Sequence, residues 1–320
     1  MTQGGIQRER PSEARPSEAR PSAGFSLVEL LVVIVIIGIL IALLIPVLGI
    51  ARASVQEAGI TTEVATLSQG LEAFNTEFNA GYPPDFSGPI IVNGPRQLVA
   101  PDAQAVDQFL TRLFRYRNRA TDVPRDPATG MPLPNGANLF ASLDPSEALV
   151  FWLRGFTDDP ANPLFGPVGV RPDTVQRTPI FEFDPTRLID KDGDGFMEYY
   201  PRFASDLPYV YLAHYNYVGA FQQPSLVCRT GVDTNAAFPC PRPYLAKQNA
   251  EEIVDINQVN DYAAAQKFQV LAAGLDNDFG IQQDNSNYNG FTYPLGPYPN
   301  RPHQDNITNF AEGSLEGKLP

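Results

Sequence analysis

The chain is poor in the residues on which most enzyme chemistry rests. Among 320 residues there are two histidines, two cysteines and one tryptophan. His214 and His303 lie 89 positions apart in unrelated contexts, His214 within a tyrosine-rich stretch where it reads as a satisfied strand histidine. No G-x-x-x-x-G-K-[ST] loop, no G-x-S-x-G elbow and no H-E-x-x-H pair occurs, so the nucleotide-binding, serine-hydrolase and zinc-protease patterns are missing. Acid pairs for glycoside hydrolysis exist as in any acidic chain, but sequence spacing does not measure separation in space. Basic residues are also scarce, 23 Lys and Arg against 36 Asp and Glu, for a net charge of −13. That balance disfavours nucleic acid and anionic lipid headgroups as partners and suits cations. The sequence reads as non-enzymatic.

The most informative absence is local. Between Glu29 and Arg52 lie twenty-two residues without a charge, LLVVIVIIGILIALLIPVLGIA, and a helix of that length spans roughly 33 Å, enough to cross a bilayer core. A secretory signal has an apolar core of only about 7–15 residues, although Ala51-Arg52-Ala53 imitates its small-x-small cleavage site. A plain anchor has no use for a carboxylate at its head, which is costly in lipid. Glu29 therefore implies a partner. Four Arg precede the span, and Arg52 is the sole basic residue in the forty that follow it, which orients the N-terminus to the cytoplasm and the rest outside.

The stretch Gly24-Phe25-Ser26-Leu27-Val28-Glu29 running into this apolar segment resembles the N-terminus of type IV pilins and type II secretion pseudopilins. The resemblance implies cleavage after Gly24 by a prepilin peptidase. It also implies N-methylation of Phe25 and a role for Glu29 in neutralising the terminal amine of a neighbouring subunit during assembly. Gly38 and Pro46 fit the small residue and the proline found in such helices. The implied partners are the prepilin peptidase, other pilin or pseudopilin subunits and the inner-membrane assembly platform of a secretion system. The implied location is the inner membrane, single-pass, with the head in the periplasm and able to be drawn into a periplasmic or surface filament.

Removal of the leader, residues 1–24 with four Arg against three Glu, takes the charge to −14. Its RPSEA repeat contains no apolar side chain larger than Ala, so it reads as a disordered tether. Residues 25–51 read as the membrane part of the first helix and 52–80 as its amphipathic continuation. Val64, Leu67, Leu71, Phe74 and Phe78 form its apolar stripe, with Glu63, Gln69, Glu72 and Glu77 facing elsewhere. Asn79-Ala80-Gly81 and Tyr82-Pro83-Pro84 end this helix, expected over 25–79. Pro46, Gly59 and Gly70 read as points of bending or local weakening.

With 31 Pro and 25 Gly, mostly after residue 80, the remainder reads as loop-rich. An inserted region, 81–178, holds two short helices. One buries Val106, Phe109, Leu110, Leu113 and Phe114, and its basic far side, Arg112, Arg115, Arg117 and Arg119, is expected to fold onto neighbouring acids. The other begins at Asp144-Pro145-Ser146-Glu147 and buries Leu149, Trp152 and Leu153. From 179 to 320 the segments PIFEF, FMEYY, YVYLAHYNYV and KFQVLAA read as strands. The fold class is α+β, an antiparallel sheet whose apolar face meets the helix stripe.

Cys228 and Cys240 bracket a turn-rich segment with little apolar content. In an exported head a disulfide is permitted and favoured, the alternative being two unpaired buried thiols. In Asp190-Lys191-Asp192-Gly193-Asp194-Gly195-Phe196-Met197-Glu198, alternate carboxylates and a reversing glycine follow the D-x-D-x-D-G calcium pattern. Position twelve is Pro201, so this is not a complete EF-hand, and Glu198 and the Phe196 carbonyl would complete the shell. A solvated acidic turn is the alternative. A second loop carries Asp276 and Asp278, followed by Asp305-Asn306-Ile307-Thr308-Asn309-Phe310. Together with Tyr82-Pro83, it is similar to the C-terminal calcium site of major pseudopilins. On that likeness Asp276, Asp278 and Asp305 are ligands, with Asn306 interrupting the usual Asp-Ile pair and Phe310 standing where tryptophan is expected. The alternative is a turn that uses Asp and Asn for backbone reasons.

The sequence thus points to a pilin-like filament subunit with calcium as its cofactor. The rival is a calcium-dependent surface binding module that uses a pilin anchor and does not polymerise.

Overall fold

The computed structural model describes residues 26–87, 100–126, 128–132, 143–191, 195–217, 227–229, 237–239, 241–247, 258–279, 292–294, 305–311 and 313–315. The chain divides into two compact units, residues 1–51 and 52–320. In the first, the described residues are the N-terminal part of helix α1, which runs unbroken over Leu27–Phe78 and through Pro46. Its large apolar side chains from Leu27 to Ile50 are exposed all round, and it is long and apolar enough to cross a membrane.

In the second unit the rest of α1 presents a stripe of fully buried residues, Ile60, Val64, Leu67, Leu71 and Phe74, at the three- and four-residue spacing that puts side chains on one helix face. Phe78 is partly buried on the same core. The helix stops where two left-handed residues appear on either side of Ala80, Asn79 with φ 46° and Gly81 with φ 85°. Gly59 and Gly70 have a packing role. A Cβ at Gly59 would come within 2.9 Å of the Phe203 ring, and one at Gly70 within 3.3 Å of Leu153 and Phe181, so the glycines let neighbours pack close to the helix backbone.

Helices α2 (Ala100–Leu113) and α3 (Ala148–Leu153) pack on this stripe. Phe74 lies 6.1–6.2 Å from Phe109, Trp152 and Phe156, ring centre to ring centre. The start of α3 falls later than expected. Asp144 and Glu147 form a turn ahead of it, the Asp144 carboxylate accepting from the Ser146 amide at 2.8 Å and Glu147 from the Asp144 amide at 2.8 Å.

Among the described residues nine short strands follow: β1 (Leu188–Ile189), β2 (Glu198–Tyr199), β3 (Val210–Ala213), β4 (Val227–Arg229), β5 (Ala237–Pro239), β6 (Leu245–Lys247), β7 (Phe268–Ala272), β8 (Thr292–Pro294) and β9 (Ile307–Thr308). The central sheet has the order β3-β7-β9, antiparallel throughout, with Val210 opposite Leu271 and Ala272 opposite Ile307. β1 pairs β2 and β4 pairs β5, both antiparallel, while β6 and β8 pair in parallel. The segment PIFEF is not a strand. The amides of Ile180 and Phe181 both donate to the Leu153 carbonyl at 3.0 Å, so its backbone engages the end of α3. His214 likewise lies past β3, in a single 3₁₀ turn over His214–Asn216.

The sheet is buried on both faces. Tyr211, Ala213, Phe268, Val270 and Ala272 join the core of α1, α2 and α3. The alternate residues Val210, Leu212 and Leu271 join a second core with Tyr217, Tyr244, Leu245, Tyr262, Phe279 and Leu315. The α+β class holds, as three layers and not two.

Polar contacts fasten α1 to this unit. Glu63 does not face away from the head. It accepts from Arg187 Nη1 at 2.8 and 2.9 Å and from the Tyr209 hydroxyl at 2.6 Å. Farther along, Glu72 accepts from Tyr82 at 2.8 Å and from Lys267 at 2.7 Å.

Candidate functional site

The N-terminus of α1 is built on a reciprocal cap. Ser26 precedes the helix, its hydroxyl oxygen accepting from the Glu29 amide at 3.2 Å, and the Glu29 carboxylate accepts from the Ser26 amide at 2.9 Å. Two amides that a helix start leaves unpaired are thereby satisfied. The carboxylate also sits where the helix dipole favours negative charge. The S-x-x-E signature ahead of an apolar run was present in the sequence, yet Ser26 was not among the expected functional residues. Gly24, Phe25 and the leader lie outside the described residues. Glu29 is exposed, so its carboxylate is held by its own chain and still open to a second positive group.

In the first acidic loop, the Asp190 carboxylate accepts from the Gly195 amide at 3.0 Å and Glu198 accepts from the Lys191 amide at 3.3 Å. The two described acids thus close the turn from both ends, with Gly195 at φ 95° making the reversal. Phe196 is buried and packs at 6.0 Å from Phe151. Lys191 points away, its ammonium donating to the Asp206 carbonyl at 3.0 Å and lying 4.1 Å from the Tyr200 ring centre. The frame fits a loop that gathers carboxylates. Asp192 and Asp194 lie outside the described residues.

In the second loop Asp305 and Asp276 are linked through the backbone amides of residues 275–278. Asp305 Oδ2 accepts from the amides of Leu275 and Asp276, the latter at 3.0 Å, and Asp276 accepts from the Asp278 amide at 3.0 Å. Burial, with the charges of Asp305 and Asp278 added, raises the Asp276 carboxyl above its ordinary value. Gly274 is required here: at φ 70° its Cβ would lie 2.3 Å from the Asp305 carbonyl oxygen. Asn306 is fully buried and donates to the Tyr244 hydroxyl at 2.9 Å and the Phe279 carbonyl at 3.1 Å. Phe310 packs on Tyr244 and Tyr293. Among the described residues no group of three or more His, Cys, Asp and Glu is arranged to hold a metal ion. In the second loop Asp305 Oδ2 and Asp276 Oδ1 are turned to backbone amides. Cys228 stands in β4 opposite Phe238, and Cys240 lies outside the described residues.

The arginine cluster divides. Arg117 pairs with Asp122 at 2.6 Å and Arg119 with Asp107 at 2.6 Å. Arg112 and Arg115 take no part in an ion pair among the described residues.

The family model for the prokaryotic N-terminal methylation motif matches residues 19–45. No curated protein and no solved structure matches the chain. The motif and the long apolar helix behind it fit the type IV pilin and pseudopilin family, whose members are structural. They support a pilin-like protein processed by a prepilin peptidase and assembled with other pilin subunits. The single apolar helix is consistent with membrane anchoring as in pilins.

Proposed function

We propose that this chain is a structural subunit of a type II secretion pseudopilus or of a filament of the type IV pilus kind, with its head in the periplasm before assembly on an inner-membrane platform. The observation that carries the reading is the Ser26–Glu29 cap at the head of an apolar helical segment that has no charge between Glu29 and Arg52, within the residues matched by the methylation motif. Cleavage after Gly24 frees the amine of Phe25. In an apolar bundle of such helices, that ammonium and the Glu29 carboxylate of another copy offset each other's desolvation, which neither escapes alone. One oxygen of Glu29 serves its own helix start, so the carboxylate is already oriented for the incoming amine.

Intact-mass measurement of the native protein is expected to give a chain beginning at Phe25 with one added methyl group. Glu29→Ala is expected to leave membrane insertion intact and to abolish filament assembly. A mutant that enters filaments as well as wild type removes the pairing role.

The acidic loops favour calcium as a structural ion and keep the surface-module reading as the rival. Asp190, Asp192, Asp194, Glu198 and the Phe196 carbonyl would hold one ion, and Asp276, Asp278 and Asp305 a second once Asp276 and Asp305 turn from the amides whose hydrogen bonds they accept. An ion that binds only the folded head stabilises it by about 2.7 kcal/mol at a hundredfold excess over its Kd. Melting in calcium is therefore expected several degrees above melting in chelator, with Asp192→Ala removing most of the difference. Identical curves remove calcium from the account. The Cys228–Cys240 bond belongs to the same proposal, and free thiols titrated in denatured, unreduced native protein exclude it.

A further inference from the structure

The end of α2 and the turn after it carry a surface unlike the rest of this acidic chain. Residues 108–121 hold four arginines and no acid, within a protein of net charge −13. The nearest acids in sequence, Asp107 and Asp122, are already engaged. Asp122 is fully buried, its Oδ1 accepting from the Leu164 and Phe165 amides at 3.0 Å and its Oδ2 pairing with Arg117 at 2.6 Å. Asp107 receives Arg119 at 2.6 Å and Arg117 at 3.8 Å. Arg112 and Arg115 are exposed and have no carboxylate within ion-pair distance among the described residues. The guanidinium carbon of Arg112 lies 5.5 Å from the centre of its own helix's Phe109 ring, a contact that limits the freedom of the side chain. Beside the two arginines stands Tyr116, 77% exposed and among the most exposed large side chains of the second unit.

Two arginines and a tyrosine on an open surface have the composition found at the energetic centres of protein interfaces, where Arg and Tyr are enriched. A self-contained acidic monomer has no reason to leave such a group unpaired. Packed copies of the same chain do, since each copy presents exposed acids, such as Asp158 and Glu182, that form no ion pair among the described residues. We infer that Arg112, Arg115 and Tyr116 form the docking surface for the acidic face of a second copy of this chain. This inference rests on the filament reading above. The patch supplies electrostatic attraction between heads that would otherwise repel at their net charge, and it sets which face of one copy meets the next.

The test uses the full chain, processed and assembled in the cell that makes it. The double variant Arg112→Glu, Arg115→Glu is expected to fold and melt as wild type, because neither side chain is buried, and to lower the assembled fraction about tenfold or more. Arg112→Lys with Arg115→Lys is expected to retain most assembly, and raised salt to weaken the wild-type filament. A benzophenone photocrosslinker in place of Tyr116 is expected to join two copies, with the attachment mapped to an acid-rich peptide of the other copy. Wild-type filaments that tolerate the charge reversal, or crosslinks only to lipid or within one chain, overturn the patch and leave the filament reading standing. A wild-type protein that forms no filament at all overturns both.

Discussion

Two stretches of one helix use the same apolar residue types to opposite ends. From Leu27 to Ile50 the large side chains surround the helix, and all are between 46% and 78% exposed. From Ile60 to Phe74 they occupy a single stripe that is no more than 1% exposed. The second stretch has found its partner within its own chain, whereas the first has none among the described residues, as is consistent with a membrane-anchoring helix. Amphipathicity, and not hydrophobicity, marks the part of the helix that belongs to the folded head.

The sharpest way to break this contrast is to truncate one ring on each side of it. Phe74→Ala removes a side chain packed against Phe78, Phe109, Trp152 and Phe156, and a loss of about 3–5 kcal/mol is expected in chemical unfolding of the head. Ile36→Ala is expected to leave that unfolding curve unchanged. A comparable loss from both variants would mean that the first stretch has an intramolecular partner after all.

A smaller effect separates Glu63 from the carboxylates on the solvent side. Glu63→Gln leaves Arg187, only 15% exposed at its side chain, with Asp184 at 3.5 Å as its remaining counter-charge. A loss of about 2 kcal/mol is expected, less than for a fully buried pair because water still reaches both partners. Rescue by Arg187→Met would identify stranded charge as the cause.

Alkaline pH tests the same helix face through Tyr82. Burial, then the hydrogen bond and charge of Glu72, raise its hydroxyl to about 12 from 10.0. The unfolded chain therefore releases this proton first. The contribution is whole below pH 10 and is lost as pH rises through 12, about 2 kcal/mol in all. Tyr209, Tyr211, Tyr217 and Tyr244 are raised as well, chiefly by burial, and act in the same direction. Tyrosinate absorbance is expected to rise together with the loss of tertiary signal, and an earlier rise would mean that these hydroxyls are wet. The smallest effect belongs to Lys267→Ala. Its pair with Glu72 is 60% and 40% exposed, and less than about 1 kcal/mol is expected.

What was legible in the sequence was what depends on period and punctuation. The α1 stripe, its stop at Asn79 and Gly81, and the buried face of α2 follow from spacing and local backbone preference. The central strand pairing of Val210–Ala213 with Phe268–Ala272 lay within runs rich in aromatic and β-branched residues. Other features depend on contacts distant in sequence. PIFEF has strand composition, but its amides were taken by the Leu153 carbonyl. The sheet was expected to bury one face, yet VYLA is apolar at every position, as a strand covered on both sides must be. Gly59 and Gly70 looked like helix defects because the rings they admit, Phe203 and Phe181, are more than a hundred positions away. At the site, the role of Glu29 came from resemblance, whereas Ser26 was readable as a cap and was overlooked beside it.

The edge strand β9 and the residues after it bear on biogenesis. The Ser314 amide donates at 3.0 Å to Glu57, across 257 positions, and Asn309 stands in for a strand partner by accepting from the Val270 amide at 2.8 Å. The sheet's third strand and the clasp on the first helix thus come from the final portion of the polypeptide. A chain emerging N-terminus first cannot close this head until residues as far as Ser314 have been made. The amphipathic part of α1 must therefore wait, without its clasp, while the 257 further residues from Glu57 to Ser314 are synthesised, and any quality control that senses a closed head reads how far synthesis has gone as well as correctness of fold.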